Sequence, residues 1–233
     1  MSDIQFTDRT DAGKRLGAVL QRIRMQQPLV LAIPRGGIEV AAPVAEALGA
    51  EMDVLLCRKL CAPEQRELAV GAVNEAGDVQ LNRHGRALGQ ASAVWLERER
   101  ARQMGEIARQ QRLFRAIRPK AHMKRRSLVV VDDGVATGST LQAALRMLRE
   151  ADAHEVIVAV PVAARETIPG VRTLCDQFVC LLEPAEFWAV GQFYRTFTQV
   201  SDERAVALLR QHAPTDRRRA ESRALGALPV TPA

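Results

Sequence analysis

No apolar run in this 233-residue sequence approaches the length needed to cross a membrane. The stretch MSDIQFTDRT lacks the basic and apolar regions of a secretory leader, so the cytoplasm is the expected compartment. Histidine is sparse and scattered, at His84, His122, His154 and His212. Cysteine is equally sparse: Cys57, Cys175 and Cys180 lie in or beside apolar runs, and Cys61 follows one. Without closer spacing or neighbouring histidines these thiols do not make a zinc site, and they read as reduced packing residues. No internal repeat is visible. Aromatic residues make up only 4% of the chain, yet one segment, 184–198, holds Phe187, Trp188, Phe193, Tyr194 and Phe197. Such a cluster reads either as a packed cap or as a pocket that stacks on a planar base. The cap is the preferred reading, with Trp188 and Tyr194 left open.

What is present fits one globular domain. Hydrophobic residues make up 47% and charged residues 26% of a chain long enough for a sizeable core. The domain is expected over 1–212, followed by a disordered tail at 213–233 that is rich in proline, arginine and small residues. The net charge is +6 and the pI about 9.7. Its excess lies mainly in 98–126 and in Arg217, Arg218 and Arg219. Such a surface draws polyanions, nucleic acid included, but solvated helix faces are the preferred reading of most of these arginines.

The stretch that organises the chain is SLVVVDDGVATGSTLQAALR, residues 127–146. Its β-branched apolar run is too short for a helix and reads as a buried strand. Asp132 and Asp133 follow, then a loop of small residues, then an amphipathic helix carrying Leu141, Ala144, Leu145 and Leu148. A strand entering a helix through such a loop leaves backbone N–H groups unpaired at the helix N-terminus, where the dipole also favours an anion. Thr137, Ser139 and Thr140 add hydroxyl donors, and Gly138 permits close approach. The paired carboxylates repel a phosphate, but they accept hydrogen bonds from sugar hydroxyls or sit near a cation. Together these point to a ligand with a phosphate at one end and a ribose in the middle.

The motif VVVDDGVATGST resembles the PRPP-binding motif of type I phosphoribosyltransferases. The resemblance implies that Asp132 and Asp133 hold the ribose 2′ and 3′ hydroxyls, and that Ala136, Thr137, Gly138, Ser139 and Thr140 cradle the 5′-phosphate. It further implies Mg²⁺, associated with the two aspartates indirectly through ribose hydroxyls or water. It also implies PRPP and a nitrogenous acceptor as partners. A homodimer is expected.

Other segments fall into place around this motif. A first helix, 11–25, is capped by Asp8 or Thr10. The strand 29–33 ends in Pro34-Arg35-Gly36-Gly37 ahead of a helix at 38–48, a second strand–loop–helix unit with a cation and glycines at its turn. Two anion loops at carboxyl ends of parallel strands mark where open α/β sheets bind ligands. The turn resembles the family's pyrophosphate loop, with Arg35, Gly36 and Gly37 as its binding residues and a cis peptide expected at Pro34–Arg35.

A strand at 53–57 is expected to end in Arg58 and Lys59, placing two cations for charge stabilisation. A β-hairpin follows over 61–82, in the position of the family's mobile loop. A long helix, 92–117, carries Val94, Ala101, Met104, Ile107, Ala108, Phe114 and Ile117 on one face; Arg112, Arg115 and Arg118 near its end read as surface charges or as arms reaching the pyrophosphate. Strands are expected at 156–160, ended by Pro161, and at 177–182. Ser201 caps a closing helix.

The expected architecture is a doubly wound α/β domain with a mainly parallel sheet and a small hood. The reaction implied is displacement of pyrophosphate from C1 of PRPP by an unidentified nitrogen nucleophile. An alternative keeps the fold without turnover, as a PRPP- or nucleotide-binding regulator that contacts nucleic acid. Another is hydrolysis or phosphorolysis of a ribosyl phosphate. One departure bears on the acceptor. In the hypoxanthine–guanine branch the third residue after the second aspartate is an acid, whereas here it is Ala136. Any base would come from elsewhere, with Glu67 and Tyr194 as the options.

Overall fold

The computed structural model of the chain describes residues 6–62, 65–87 and 93–212. In chain order the first elements are α1 (Arg9–Leu20), β1 (Leu29–Ala32), α2 (Gly36–Leu48) and β2 (Glu51–Val54). A second group follows: β3 (Cys57–Ala62), β4 (Gln65–Asn74), β5 (Val79–Leu81), α3 (Arg83–Ala87) and α4 (Ala93–Arg115). The last are β6 (Ser127–Val131), α5 (Ser139–Leu148), β7 (Glu155–Val162), α6 (Ile168–Arg172), β8 (Gln177–Leu182) and α7 (Asp202–Gln211).

Five strands form a parallel sheet in the order β2-β1-β6-β7-β8. Both faces of its middle are covered, which is why β1 and β6 read as unbroken apolar runs. Alternate residues serve alternate layers. Val30, Ala32, Val129, Val131, Ile157 and Ala159 pack with residues of α1, α2 and α7. Their neighbours Leu29, Leu31, Leu128, Val130, Val158 and Val160 pack with α5 and α6. The fold is therefore doubly wound, as expected. Strand order reverses between β1 and β6, so the segments leaving these two strands diverge and open a crevice at their carboxyl ends. Asp8 caps α1, its Oδ1 accepting from Asp11 N at 2.8 Å, and Ser201 Oγ accepts from Arg204 N at 3.2 Å to cap α7. Helix α1 stops at Leu20, short of the expected residue 25.

The second sheet corrects the expected single hairpin. It is a three-stranded antiparallel meander, β3-β4-β5. Leu60, Val70 and Val73 face Ile107 of α4, while Ala72 faces Ala143 and Met147 of α5. The strand expected at 53–57 is divided: β2 ends at Val54 and Cys57 opens β3. Arg58 and Lys59 therefore lie inside β3, opposite Val73 and Ala72, and do not end a strand of the parallel sheet. The apolar run 54–57 is buried throughout, so its pattern carries no sign of the change of sheet. Helix α4 buries Ile107 and Phe114, but also Glu99 and Gln103, and leaves Val94 exposed. Polar groups thus take part of the face expected to be apolar: Gln103 Nε2 donates to Glu99 Oε1 at 2.8 Å. Strand β7 runs through Pro161 to Val162. Its pairing with β6 ends at Ala159, so the missing proline N–H falls where, among the described residues, β8 is the only neighbouring strand.

Arg115 and Arg118 neither sit on the surface nor reach an anion loop. Arg115 donates to Asp53 Oδ1 and to Glu75 Oε2, each at 2.8 Å. Arg118 pairs with Glu51 at 2.7 Å and donates to the carbonyl of Met52. Asp53 is fully buried and also accepts from Ala121 N at 2.7 Å. This network fastens the end of α4 and the connector after it to β2. Arg112 is exposed.

Candidate functional site

At the crevice, Ala32 of β1 is paired with Val131 of β6, and Ile33 N donates to Val131 O at 2.9 Å. The next residues on each side are the two loops of interest, and they are packed into each other. A Cβ at Gly36 would lie 2.0 Å from Asp133 Oδ2, and one at Gly37 would lie 2.7 Å from Val131 O. Only glycine lets the Pro34–Gly37 turn approach this closely. The Pro34–Arg35 bond is cis. Arg35 itself turns toward α7, where its Nη1 donates to Asp202 Oδ1 at 3.1 Å. Arg109 Nη1 holds the other oxygen of Asp202 at 2.9 Å.

The two aspartates are placed differently. Asp132 Oδ1 accepts from Asp133 N at 2.9 Å. Burial, and then the charge of Asp133, push the Asp132 carboxyl well above the usual range. Burial also raises Asp133, though the Arg9 guanidinium partly offsets this. Arg9 Nε donates to Asp133 Oδ2 at 2.8 Å, and its Nη1 donates to Thr198 O at 2.8 Å. The guanidinium lies 3.8 Å from the centre of the Phe197 ring. Arg9 thus supplies one positive charge against two carboxylates.

Among the described residues, no group of three or more His, Cys, Asp or Glu side chains is gathered for a metal. Two carboxylates short of positive charge suit a magnesium ion that keeps waters and ligand oxygens in most of its positions. That fits an indirect association through Asp132 and Asp133.

The loop after the aspartates turns at Gly138, whose φ is +67° and which caps α5. Thr137 Oγ1 and Ser139 Oγ lie 3.2 Å apart over the first turn of the helix. Ala136, Thr137 and Thr140 are exposed, so the donors at this helix end are accessible. Thr167 braces the loop from below, donating its hydroxyl to Ala136 O at 2.6 Å. A Cβ at Gly138 would lie 2.4 Å from Thr167 Cγ2.

The structure thus brings together Asp132, Asp133, Gly36, Gly37 and the loop from Ala136 to Thr140. Arg58 is occupied elsewhere, its Nε donating to Gln103 Oε1 at 3.2 Å. Lys59 sits beside it in β3. Tyr194 is not a base: it is buried, its hydroxyl donates to Asp133 O at 2.5 Å, and burial raises its pKa far above the usual value. Its ring packs against Phe6 and Phe197, with centroids 5.4 and 5.1 Å away. The aromatic segment is therefore mainly a cap, from which Trp188 protrudes 86% exposed. The Glu67 side chain and the tail at 213–233 lie outside the described residues. Sequence reasoning missed Arg9 and Thr167. A charged residue at a helix start and a threonine in a short connection carry no local mark of such distant partners.

The chain matches the family model of the phosphoribosyl transferase domain over residues 5–196. It is 42% identical over 207 residues to a curated protein of Mycobacterium tuberculosis H37Rv named "Putative phosphoribosyl transferase Rv0571c". A protein from strain CDC 1551 named "Putative phosphoribosyl transferase MT0597" matches equally. The alignment covers 88% of this chain but 46% of those relatives, so the chain spans about half their length. Among solved structures, TT1426 from Thermus thermophilus superposes with a TM-score of 0.84 at 41% identity, over 90% of this chain and 100% of that one. With the family's domain running through most of the sequence and a relative's fold reproduced across it, the chain belongs to the phosphoribosyl transferase family.

Proposed function

We propose that the chain transfers the phosphoribosyl group of PRPP to a nitrogen nucleophile, releasing pyrophosphate. The observation that carries this reading is the junction at the strand-order reversal. There a half-buried aspartate pair and an accessible, hydroxyl-lined helix N-terminus follow one strand, and a glycine turn from the neighbouring strand packs against them.

In this reading the 5′-phosphate rests on the loop 136–140, where backbone N–H groups and the hydroxyls of Thr137, Ser139 and Thr140 face it. Asp132 and Asp133 accept from the ribose hydroxyls. The bond from C1 to the pyrophosphate oxygen breaks with its electron pair leaving on that oxygen, while the acceptor nitrogen bonds to C1 and gives up its proton. Positive charge grows on the sugar in between, and two underneutralised carboxylates are suited to stabilise it. Arg9 and the Tyr194 hydroxyl keep Asp133 fixed as this happens. When bound, Mg²⁺ would supply charge neutralisation to the pyrophosphate. Arg58, which holds Gln103, has no part in this scheme, and Arg35 takes one only by exchanging Asp202 for a ligand anion. The protein is proposed to work in the cytoplasm. No described helix is long and apolar enough to cross a membrane.

The test is PRPP-dependent pyrophosphate release across nucleobases and small amines, with and without Mg²⁺. Release with at least one acceptor is expected. PRPP binding without release under every condition would favour the regulator reading instead.

Two substitution-level expectations follow from the loop. In Gly138→Val the new side chain meets Thr167 and must adopt a left-handed backbone, so PRPP affinity should fall about tenfold or more. Unchanged affinity by calorimetry would remove the phosphate from this loop. At Ala136 there is neither a lone pair nor a proton to exchange with a purine ring. Hypoxanthine and guanine are therefore expected to give no conversion above background. Robust turnover of either by the purified protein would refute the argument from Ala136.

A further inference from the structure

A cleft of about 1290 Å³ opens where the phosphate loop meets α5, and it runs away from the aspartate pair. One wall is a stripe of α5 and its C-terminal cap: Ser139, Gln142 and Arg146, then Arg149 just past the helix, at spacings of three and four that put them on one face. From Ser139 to Arg149 the stripe extends about 15 Å. The facing wall holds His84 and Arg86 of α3. Among the described residues, the only acid on the lining is Glu150, which accepts from Gln80 Nε2 at 2.9 Å.

Arg146 lies in the last turn of α5, where the helix dipole favours a cation. The Arg146 side chain forms no hydrogen bond or ion pair among the described residues. Burial, and then the charge of Arg149, hold its guanidinium below its usual pKa. Arg149 beside it is exposed and donates to Thr173 O at 3.3 Å. Neither arginine has a carboxylate partner among the described residues, and both line a cleft that begins at the hydroxyls of Thr137 and Ser139.

We propose that this cleft binds a ligand with several phosphates in a row, the first on the loop 136–140 and the next along Arg146 and Arg149. The ligand class is a linear polyphosphate or the 5′-phosphorylated end of a nucleotide strand. The placement of the first phosphate rests on the loop reading given above; the Arg146 and Arg149 part does not.

Calorimetry on the full chain with inorganic phosphate, inorganic tripolyphosphate, 5′-phosphorylated trithymidylate and ribose 5-phosphate separates the two parts. Tripolyphosphate, the oligonucleotide or both should bind about tenfold tighter than inorganic phosphate. The Arg146→Gln/Arg149→Gln protein should lose that advantage while ribose 5-phosphate binding stays within about twofold. Preference for one of the two chains identifies the source of the phosphates, and either preference supports the site. Equal affinity for phosphate and both chains, or a chain affinity indifferent to the two substitutions, overturns it. If ribose 5-phosphate fails to bind while the chains remain sensitive to both arginines, the loop reading fails and the cleft stands.

Discussion

Replacing Arg9 with methionine is expected to destabilise the protein by about 3–5 kcal/mol, the usual cost of leaving a buried charge without its partner. Arg9 is 6% exposed and is the residue that neutralises Asp133. Methionine keeps much of the packing on Phe197 but gives Asp133 nothing. The Asp133 carboxyl already sits above its usual range because of burial, and loss of Arg9 would raise it further. A raised carboxyl pKa favours the folded state below that pKa, and the benefit is lost as pH rises through it. The penalty of the substitution should therefore be largest at neutral and alkaline pH and shrink as pH falls and Asp133 takes up a proton. Urea melts at several pH values would show this. A second change, Asp133→Asn, should recover part of the loss at pH 8. A penalty independent of pH, with no recovery in the double variant, would mean that Arg9 acts through packing and its bond to Thr198 O rather than through Asp133.

The largest effect on the site itself is expected from Gly36→Val. The valine Cβ would fall 2.0 Å from Asp133 Oδ2 and 2.6 Å from its Cγ, with Arg9 Nε a further 3.2 Å neighbour. The carboxylate cannot stay in place, and moving it breaks the pair with Arg9. Overpacking of this kind costs about 1–3 kcal/mol in stability. The effect on binding should be greater, because a shift of about 1 Å in a positioned group costs about a hundredfold. PRPP affinity is expected to drop by about that factor in a protein whose circular dichroism is unchanged, with Gly36→Ala falling between the two. Wild-type affinity in the valine variant would show that the glycine turn and Asp133 do not meet in the working site.

Much of this was legible beforehand, for local reasons. The strand–loop–helix run from Leu128 to Leu148 is written in consecutive residues. So is the turn at Gly36, and the sheet's burial on both faces shows in the unbroken apolar run of β1. What stayed hidden was set by distant partners. Arg58 and Lys59 read as strand-end cations because Val54 to Cys57 are apolar without interruption, although the chain changes sheets within that run. Arg115 looked exposed because Asp53 and Glu75, which bury it, lie 62 and 40 residues away. Tyr194 looked chemically available because nothing near it in sequence reveals that its hydroxyl is spent on the Asp133 carbonyl 61 residues back.

The Phe6–Tyr194 bridge and the hold of Arg9 on Thr198 tie residues 6–9 to residues 194–198 across the aspartate pair. A ligand that grips Asp133, as proposed, would favour molecules in which both segments are docked. By linkage, its binding free energy must also oppose their undocking. Amide exchange at 6–9 and 194–198 should then slow together as ligand is added. Protection in these two segments, distant in sequence, would then report occupancy of the proposed site between them.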